Sequence, residues 1–352
     1  MTQTERIRTE TDRLLAAFEA AGAERFETGM LQPAEVLLDL YGEDIRARAF
    51  VTMDPLQGEL MLRPDFTVPV VQAHLASGRG AARYRYAGPV FRQQTERSAR
   101  PSEYVQVGFE EFGAGDAARA DAQVFALFSA VLSPLGLTVA TGDIGLLRGA
   151  VAGLETTELR KGALLRHLWR PRRFRALLER FSQPRPEPVP VLAEDVPEIG
   201  LRSRAEVAER LTRLAEDAAV PPIPAGQGAL IMALLGIKET SANALSQLRD
   251  LAVDMPGIRA AVTGFDARLE ALETEGVAAD SLAFEASYGR TSMEYYDGFV
   301  FGFYAEKRPD LPPIATGGRY DALTRALGGA SAPAAVGGVI RPELIAELER
   351  AG

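Results

Sequence analysis

One face of a predicted strand carries an amide and a carboxylate with a glycine between them. Residues 104–113 are predicted to form the second strand of a hairpin over 83–113, and side chains on a strand alternate between its two faces. One face carries Tyr104, Gln106, Gly108 and Glu110. Because glycine has no side chain, we expect an open slot between Gln106 and Glu110 that suits a small polar ligand. The alternative is the solvent-facing side of an edge strand.

Three further motifs place charged or aromatic groups at predicted turns and strands. They are Arg63-Pro64-Asp65 ahead of a helix that Thr67 is predicted to cap, Tyr295-Tyr296 on a strand, and Gly317-Gly318-Arg319-Tyr320-Asp321 before a helix. Taken singly, each is typical of ordinary structure: a surface turn with a local ion pair, aromatic packing in a sheet, and a glycine turn. Their order along the chain, rather than any one motif, carries the functional signal.

A basic stretch stands out in an otherwise acidic chain. Arginine and lysine recur from Arg160 to Arg175, whereas the formal net charge of the chain is −9. A solvated helix face is the favoured interpretation, and a surface that binds RNA or an acidic partner is the alternative. The net charge argues against a general nucleic-acid binder, so no nucleic acid is expected as a partner.

Composition excludes several kinds of site. The 352 residues include no cysteine, and the two histidines, His74 and His167, lie far apart, so no metal site is predicted. Neither the G-x-G-x-x-G pattern nor a P-loop occurs. The charged N-terminus is unlike a secretory signal, and no apolar run is long enough to span a bilayer. We therefore expect a soluble, cytoplasmic protein without a membrane partner.

The order of predicted elements indicates a β-rich core that is interrupted by helices. Helices are predicted at 4–22 and 116–132 and from Pro342 onward, and strands at 137–144, 282–287, 294–305 and 334–340. From 155 to 275 helix-forming residues dominate, with proline clusters at 183–190 and 220–224. We therefore expect a core made of residues 1–154 and 276–352, and a mainly helical insertion at 155–275.

Taken together and in this order, the motifs resemble the catalytic core of histidyl-tRNA synthetase. The resemblance rests on residues 63–67, 91–92, 106–110, 295–296 and 317–321. It implies the α+β fold of class II synthetases, a mostly antiparallel sheet flanked by helices, which commonly dimerises through its first motif. Residues 24–40 are similar to that first motif, so a homodimer through this region is expected.

The family's histidine pocket is matched position by position. The predicted histidine-binding residues are Asp65, Thr67, Arg92, Gln106, Glu110, Tyr295 and Tyr296. The resemblance assigns Asp65 to the α-ammonium group of the ligand and Arg92 and Gln106 to its carboxylate. It assigns Glu110 and Tyr295 to the imidazole. A zwitterion needs opposite charges at its two ends, and an imidazole needs partners for both nitrogens, so L-histidine is the expected ligand.

The positions with which the family binds ATP are altered. The second motif of the family has Arg-x-Glu-Arg where this chain has residues 92–95, so Gln94 and Thr95 replace the glutamate and the second arginine. Leu344 replaces the arginine that ends the third motif, and Thr291 the arginine ahead of the tyrosine pair. Neutral side chains cannot hold a triphosphate or offset charge that grows during adenylation. No cofactor and no catalytic residue are therefore expected.

A retained amino-acid pocket with altered ATP positions resembles the synthetase paralogues that are regulatory subunits of ATP phosphoribosyltransferase. The chain also ends soon after the third motif, so no anticodon-binding domain is expected. The resemblance implies a non-catalytic subunit that activates a short-form catalytic subunit, carries histidine feedback at the first step of histidine biosynthesis and assembles as a hetero-octamer. The alternative is a minimal histidine-activating or aminoacylating enzyme, in which Arg290 replaces the displaced arginine and Arg100 and Arg319 bind phosphates.

Overall fold

The structure, a computed structural model, describes residues 2–41, 48–94, 101–184, 200–290 and 295–351. Its helices are α1 (Gln3–Ala20), α2 (Ala34–Tyr41), α3 (Thr67–Ser77), α4 (Ala117–Leu132), α5 (Ile144–Ala152), α6 (Glu158–Arg166), α7 (Pro171–Phe181), α8 (Arg204–Ala219), α9 (Ala225–Gly236), α10 (Ser241–Asp254), α11 (Arg259–Thr274), α12 (Asp321–Gly328) and α13 (Pro342–Ala351). Its strands are β1 (Glu24–Arg25), β2 (Leu31–Pro33), β3 (Val51–Asp54), β4 (Gly58–Leu62), β5 (Ala82–Phe91), β6 (Glu103–Phe112), β7 (Thr138–Asp143), β8 (Lys238–Thr240), β9 (Ala283–Glu285), β10 (Phe299–Tyr304), β11 (Ala315–Arg319) and β12 (Ala335–Ile340). No helix in these ranges combines the length and the apolar content that crossing a lipid bilayer requires.

A nine-stranded sheet forms the centre of the molecule, in the order β1-β5-β6-β12-β11-β10-β7-β9-β8. Neighbouring strands run antiparallel except in the pairs β1–β5 and β7–β9. Helix α4 packs on this sheet, with the rings of Phe125 and Phe128 centred 5.4 and 5.5 Å from the ring of Phe301 in β10. The predicted α+β fold, a mostly antiparallel sheet flanked by helices, is confirmed.

The β5–β6 hairpin is confirmed, and it brings polar side chains to one face of the sheet. Tyr86 lies directly opposite Gly108, and residues opposite each other on antiparallel strands point to the same face. On the other side of β6, Gly337 of β12 lies opposite Glu110. A Cβ atom at position 337 would overlap the carboxylate of Glu110, so glycine is needed there to leave room for it.

Two local predictions are wrong. Helix α3 begins at Thr67, but Phe66 is at its N-cap position without a side-chain hydrogen bond, and the first backbone N–H groups of the helix are directed to the Asp65 carboxylate. The tyrosine pair 295–296 lies in the turn and loop ahead of β10 rather than in a strand. As a result Thr67, at the start of α3, and Tyr295, ahead of β10, bring their hydroxyl groups to within 3.5 Å of each other.

Helices dominate the segment predicted as a helical insertion at 155–275, but its last part packs with the core. Strand β8 adds an edge strand to the large sheet beside β9, and α11 packs on α4. Helices α6 to α9 precede this part of the chain. We therefore propose that an insertion into a core of residues 1–154 and 276–352 ends before Lys238, and that residues 238–275 belong with the core.

Buried ion pairs connect α11 and β11 to α4. Arg319 binds Asp121 at 2.7 Å, and Arg268 binds Asp121 at 3.3 Å and Asp143 at 2.7 Å. All four side chains are buried. Arg319 also donates to Asp321 and to a backbone carbonyl oxygen of α4, so protein acceptors surround its guanidinium group. This arrangement gives Arg319 a structural role and does not support the alternative in which it binds phosphates.

A separate three-stranded sheet, in the order β2-β4-β3, carries exposed apolar side chains. Met53 is 71% exposed and Leu56 is 96% exposed, and three further large apolar residues of this region are also exposed: Met30, Leu31 and Val51. Several apolar side chains grouped on one exposed surface are typical of a protein contact site. The first-motif segment therefore borders a candidate interface.

The basic stretch divides between structural and exposed residues. Arg160 is buried and binds Asp217 at 2.6 Å, so it fastens α6 to the end of α8. Arg172, Arg173 and Arg175 on α7 are exposed, which agrees with the favoured interpretation as a solvated helix face.

Candidate functional site

The carboxylate of Glu110 is the centre of a buried cluster of hydroxyl groups. Its Oε1 accepts hydrogen bonds from the hydroxyls of Tyr86 at 2.8 Å and Thr67 at 3.2 Å, and its Oε2 accepts one from Tyr320 at 2.7 Å. The donors come from β5, from the start of α3 and from the residue that follows β11. Because a carboxylate has about four acceptor positions, one of them is left for the N–H group of a ligand.

Burial raises the pKa of Glu110 from its ordinary 4.5 to about 7. The hydrogen bonds from Tyr320, Tyr86 and Thr67 lower the pKa because they stabilise the ionised form, and the charge of Asp65 raises it. The negative charge of Asp65 therefore opposes the ionisation of Glu110.

The raised pKa of Glu110 predicts a pH-dependent stability. Between pH 4.5 and 7 the folded chain keeps a proton on Glu110 that the unfolded chain releases, so this contribution to stability is lost as the pH rises through 7. The free energy of unfolding of the parent, relative to that of Glu110→Gln, is expected to fall by on the order of 1–3 kcal/mol between pH 5 and 8. Urea unfolding of both proteins across this range measures the difference, and parallel pH curves would contradict it.

The ring of Tyr86 fills the space that the sequence predicts to be an open slot. The ring crosses the backbone at Gly108, where a Cβ atom would overlap it. Phe66 stacks on the same ring, with 4.4 Å between the ring centroids. The prediction of an open slot between Gln106 and Glu110 is therefore wrong. Glycine is needed at position 108 to admit the tyrosine ring of the neighbouring strand.

Asp65 and Arg92 place opposite charges beside this cluster. An Nη atom of Arg92 lies 3.9 Å from Oδ2 of Asp65, and its Nε donates to the carbonyl oxygen of Pro64 at 2.8 Å. Burial raises the pKa of Asp65, whereas Arg92 and nearby backbone N–H groups lower it. Among the described residues, Oδ1 of Asp65 has no hydrogen-bond partner. The acceptor Asp65 and the cation Arg92 lie close together, which suits an α-amino acid because its ammonium and carboxylate groups are bonded to the same carbon atom.

The tyrosine pair borders the same cluster, and Gln106 lies on the same face of β6 as Glu110. The hydroxyl of Tyr295 lies 3.5 Å from the hydroxyl of Thr67 and 3.5 Å from that of Tyr296. Gln106 is buried on the strand face of Glu110, and its Oε1 has no hydrogen-bond partner within the described part of the chain. A buried amide oxygen without a donor is costly, so it marks a place where a ligand N–H group would be stabilising.

The structure thus connects most of the predicted residues. Hydroxyl groups link Thr67, Glu110 and the tyrosine pair, and Asp65 and Arg92 form a second, adjacent group. Oε1 of Gln106 has no hydrogen-bond partner in either group within the described ranges. Sequence reasoning missed Tyr86 and Tyr320 as partners of Glu110, although the position of Tyr86 opposite Gly108 was a usable signal.

The third-motif region carries an acidic and an apolar side chain. Glu343 accepts a hydrogen bond from a backbone N–H group of β6 at 2.6 Å, and burial raises its pKa. Leu344 packs against the hydrophobic core, and Gln94 donates to a backbone carbonyl oxygen at 3.2 Å. Neither Glu343 nor Leu344 offers a positive charge to a phosphate. Outside the described residues lie Thr95, Arg100 and Thr291.

Arg290 contacts the helical segment. Its Nε donates to the carbonyl oxygen of Leu168 at 2.9 Å, and its guanidinium carbon lies 4.9 Å from the ring centroid of Phe174. These contacts hold the side chain against α7. They do not support the alternative in which Arg290 replaces the displaced arginine of the family.

Comparisons with solved structures define the class of fold. An ATP phosphoribosyltransferase regulatory subunit/histidyl-tRNA synthetase from Bacillus halodurans superposes with a TM-score of 0.71 at 23% identity, covering 98% of this chain and 79% of that one. Histidyl-tRNA synthetase from Nostoc sp. PCC 7120 superposes with a TM-score of 0.68 at 17% identity, covering 100% of this chain and 73% of that one. The fold is therefore the class II fold of histidyl-tRNA synthetase.

Sequence comparisons narrow this class to a family. A family model described as histidyl-tRNA synthetase matches residues 2–220 and 201–344. ATP phosphoribosyltransferase regulatory subunits from Brucella canis and Brucella melitensis are each 31% identical over 347 residues, which cover 90% of this chain and 91% of each relative. The chain belongs to the histidyl-tRNA synthetase-like family of ATP phosphoribosyltransferase regulatory subunits.

Proposed function

We propose that the chain is a non-catalytic regulatory subunit of ATP phosphoribosyltransferase, the enzyme of the first step of histidine biosynthesis. In this role it binds L-histidine, activates a short-form catalytic subunit in the cytoplasm and transmits feedback inhibition by histidine. Feedback of this kind needs a coupling free energy of roughly 1–3 kcal/mol between the histidine site and the catalytic subunit. The proposed partnership with a catalytic subunit is supported by the relatives, which are named ATP phosphoribosyltransferase regulatory subunits.

The arrangement of unused polar groups is the observation that carries the histidine site. Oδ1 of Asp65 and Oε1 of Gln106 are buried without partners among the described residues, and Glu110 keeps one acceptor position. Arg92 supplies a cation 3.9 Å from the Asp65 carboxylate. In this proposal Asp65 binds the α-ammonium group, Arg92 and the NH₂ group of Gln106 bind the carboxylate, and Glu110 binds the imidazole, with the tyrosine pair as its border. Oε1 of Gln106 accepts from a ligand N–H group.

The side chains of the third-motif region support a non-catalytic role. Adenylation needs positive groups on the phosphates of ATP. Glu343 and Leu344 place a carboxyl group and an apolar side chain there, and Arg319 is bound to Asp121 and Asp321. We therefore expect histidine to bind without being activated.

Calorimetric titration with L-histidine, alone and in the presence of ATP–Mg²⁺, tests the proposal together with an assay of pyrophosphate exchange. We expect histidine to bind with the same affinity with and without ATP–Mg²⁺, and we expect no pyrophosphate exchange. Histidine-dependent exchange would instead establish a histidine-activating enzyme. Addition of the chain to a short-form catalytic subunit is expected to raise phosphoribosyl transfer and to make it sensitive to histidine, and an unchanged rate would contradict the regulatory role.

The exposed apolar surface of the small sheet supports a homodimer, from which a hetero-octamer with the catalytic subunit is built. Met53→Glu is expected to shift the chain from dimer to monomer, because it places a charge on an apolar surface that the dimer would remove from water. Light scattering during size-exclusion chromatography measures the change. Val253→Glu on α10 is the matched control, since Val253 is also exposed, at 70%, and lies outside this sheet. A dimer that survives Met53→Glu would place the interface elsewhere.

A further inference from the structure

A cavity of about 490 Å³ lies where the helical segment meets the ends of β9 and β10. Phe174, Met232 and Leu235 form an apolar wall, and Tyr288, Arg290 and Tyr304 form a polar one. None of its lining residues belongs to the predicted histidine site. Its volume is in the range of about 300–1,000 Å³ that small-molecule sites occupy.

Arg290 presents an unused donor group at this cavity. The residue is only 5% exposed, and its guanidinium group is held in place by the carbonyl oxygen of Leu168 and the ring of Phe174. Its Nη2 atom is buried and has no hydrogen-bond partner among the described residues. A buried guanidinium donor without an acceptor is costly, and a ligand oxygen that accepts from it would remove that cost.

The charge at this end of the cavity is positive. Arg175 lines the same cavity, and burial together with the charge of Arg175 lowers the pKa of Arg290 to about 10. Within the described ranges, no carboxylate lies within ion-pair distance of either arginine. Glu285 also lines the cavity, but its oxygens are bound by Ser287 at 2.6 Å and by Lys238 at 3.3 Å. An anion would therefore meet two cations without a competing free carboxylate.

We propose that this cavity is a second ligand site, separate from the Glu110 cluster, for a small organic anion with a flat apolar body. The anionic group, a phosphate monoester or a carboxylate, binds Arg290 with Arg175 at the rim, since guanidinium groups form paired hydrogen bonds with both. The apolar body lies against Phe174, Met232 and Leu235.

The two tyrosines add a further contact for such a ligand. The hydroxyls of Tyr288 and Tyr304 are hydrogen-bonded to each other at 2.9 Å, and their rings meet edge to face at 6.4 Å. In such a pair one hydroxyl donates and keeps its lone pairs, and the other accepts and keeps its own O–H group, so together they can accept from and donate to a hydroxyl on the ligand body. A hydroxyl on the apolar body would therefore add a contact to those made by the anionic group.

Calorimetric titration of the full chain with phenyl phosphate, benzoate and inorganic phosphate tests the proposal. At least one organic anion is expected to bind at least tenfold more tightly than inorganic phosphate. Arg290→Gln is expected to weaken that binding about tenfold or more. Met232→Trp fills the apolar end of the cavity while it retains Arg290, so it is expected to weaken binding equally, even if Arg290→Gln fails to fold. Arg172→Gln, on the same helix but outside the cavity, is expected to leave binding unchanged.

Comparison of phenyl phosphate with benzoate shows whether the site prefers a phosphate monoester or a carboxylate. Either preference supports the proposal. Failure of both organic anions to bind would overturn it. Binding that survives both Arg290→Gln and Met232→Trp would also overturn it, because the ligand would then lie elsewhere. Glu110→Gln alters only the other site, so an equal loss in that variant would overturn the separation of the two sites.

Discussion

Asp121→Ala is expected to lower the free energy of unfolding by about 3–5 kcal/mol. Asp121 lies between two buried guanidinium groups, with Arg319 at 2.7 Å and Arg268 at 3.3 Å. Its removal leaves Arg268 with Asp143 alone and Arg319 with Asp321 alone. The charge that remains is buried without full compensation, and desolvation of an unpaired charge costs more than a lost surface ion pair.

Urea unfolding of parent and variant, followed by circular dichroism, measures this difference. The matched control is Glu209→Ala, which removes an exposed ion pair with Arg213 on α8 and is expected to cost no more than about 0.5 kcal/mol. A change of less than 1 kcal/mol in Asp121→Ala would show that the two arginines are adequately solvated or paired without it. An altered dependence on denaturant would indicate a change in compactness rather than in this contact.

Much of the fold follows from local patterns in the sequence. The β5–β6 hairpin was predictable because polar and apolar residues alternate along much of residues 104–110. Helix α4 was predictable because Asp116 is a good N-cap residue ahead of an apolar stripe. Strand β8 was missed because three exposed residues, 238–240, carry no alternation of their own and are strand only through pairing with β9. A boundary of the helical insertion ahead of Lys238, which we propose, depends on this pairing and is not contained in the helix-forming composition of residues 155–275.

The site was predictable as a set of residues but not as a packing arrangement. Ordered motifs named Thr67 and Glu110, yet the hydrogen bond between them spans 43 residues and depends on where α3 begins. A strand pattern predicts open space at Gly108, because it contains no information on a ring from the neighbouring strand. Tyr86 occupies that space. Contacts of this kind depend on cross-strand register, which a local pattern does not contain.

Glu110→Gln is expected to weaken L-histidine binding by about tenfold to a hundredfold. The carboxylate accepts three hydroxyl hydrogen bonds and, in the proposed site, a fourth from the imidazole. An amide of the same size has only one acceptor oxygen, so its NH₂ group would face hydroxyls or the imidazole N–H group that need an acceptor. Above pH 7, where Glu110 is ionised, loss of a hydrogen bond to this charged group is worth about 1.5–3 kcal/mol, which corresponds to the expected loss of affinity.

Calorimetric titration with histidine measures the effect, with Glu111→Gln as the control on the adjacent residue. Glu111 points to the opposite face of β6, where it binds Arg83 at 2.9 Å, so its replacement is expected to leave histidine affinity unchanged. Tyr295→Phe removes one hydroxyl at the border of the pocket but leaves the three donors to Glu110 intact, so it separates ligand contact from disruption of the cluster. Histidine binding of parental strength in Glu110→Gln would place the ligand outside this cluster, because no other carboxylate is held by three hydroxyls among the residues that the structure describes.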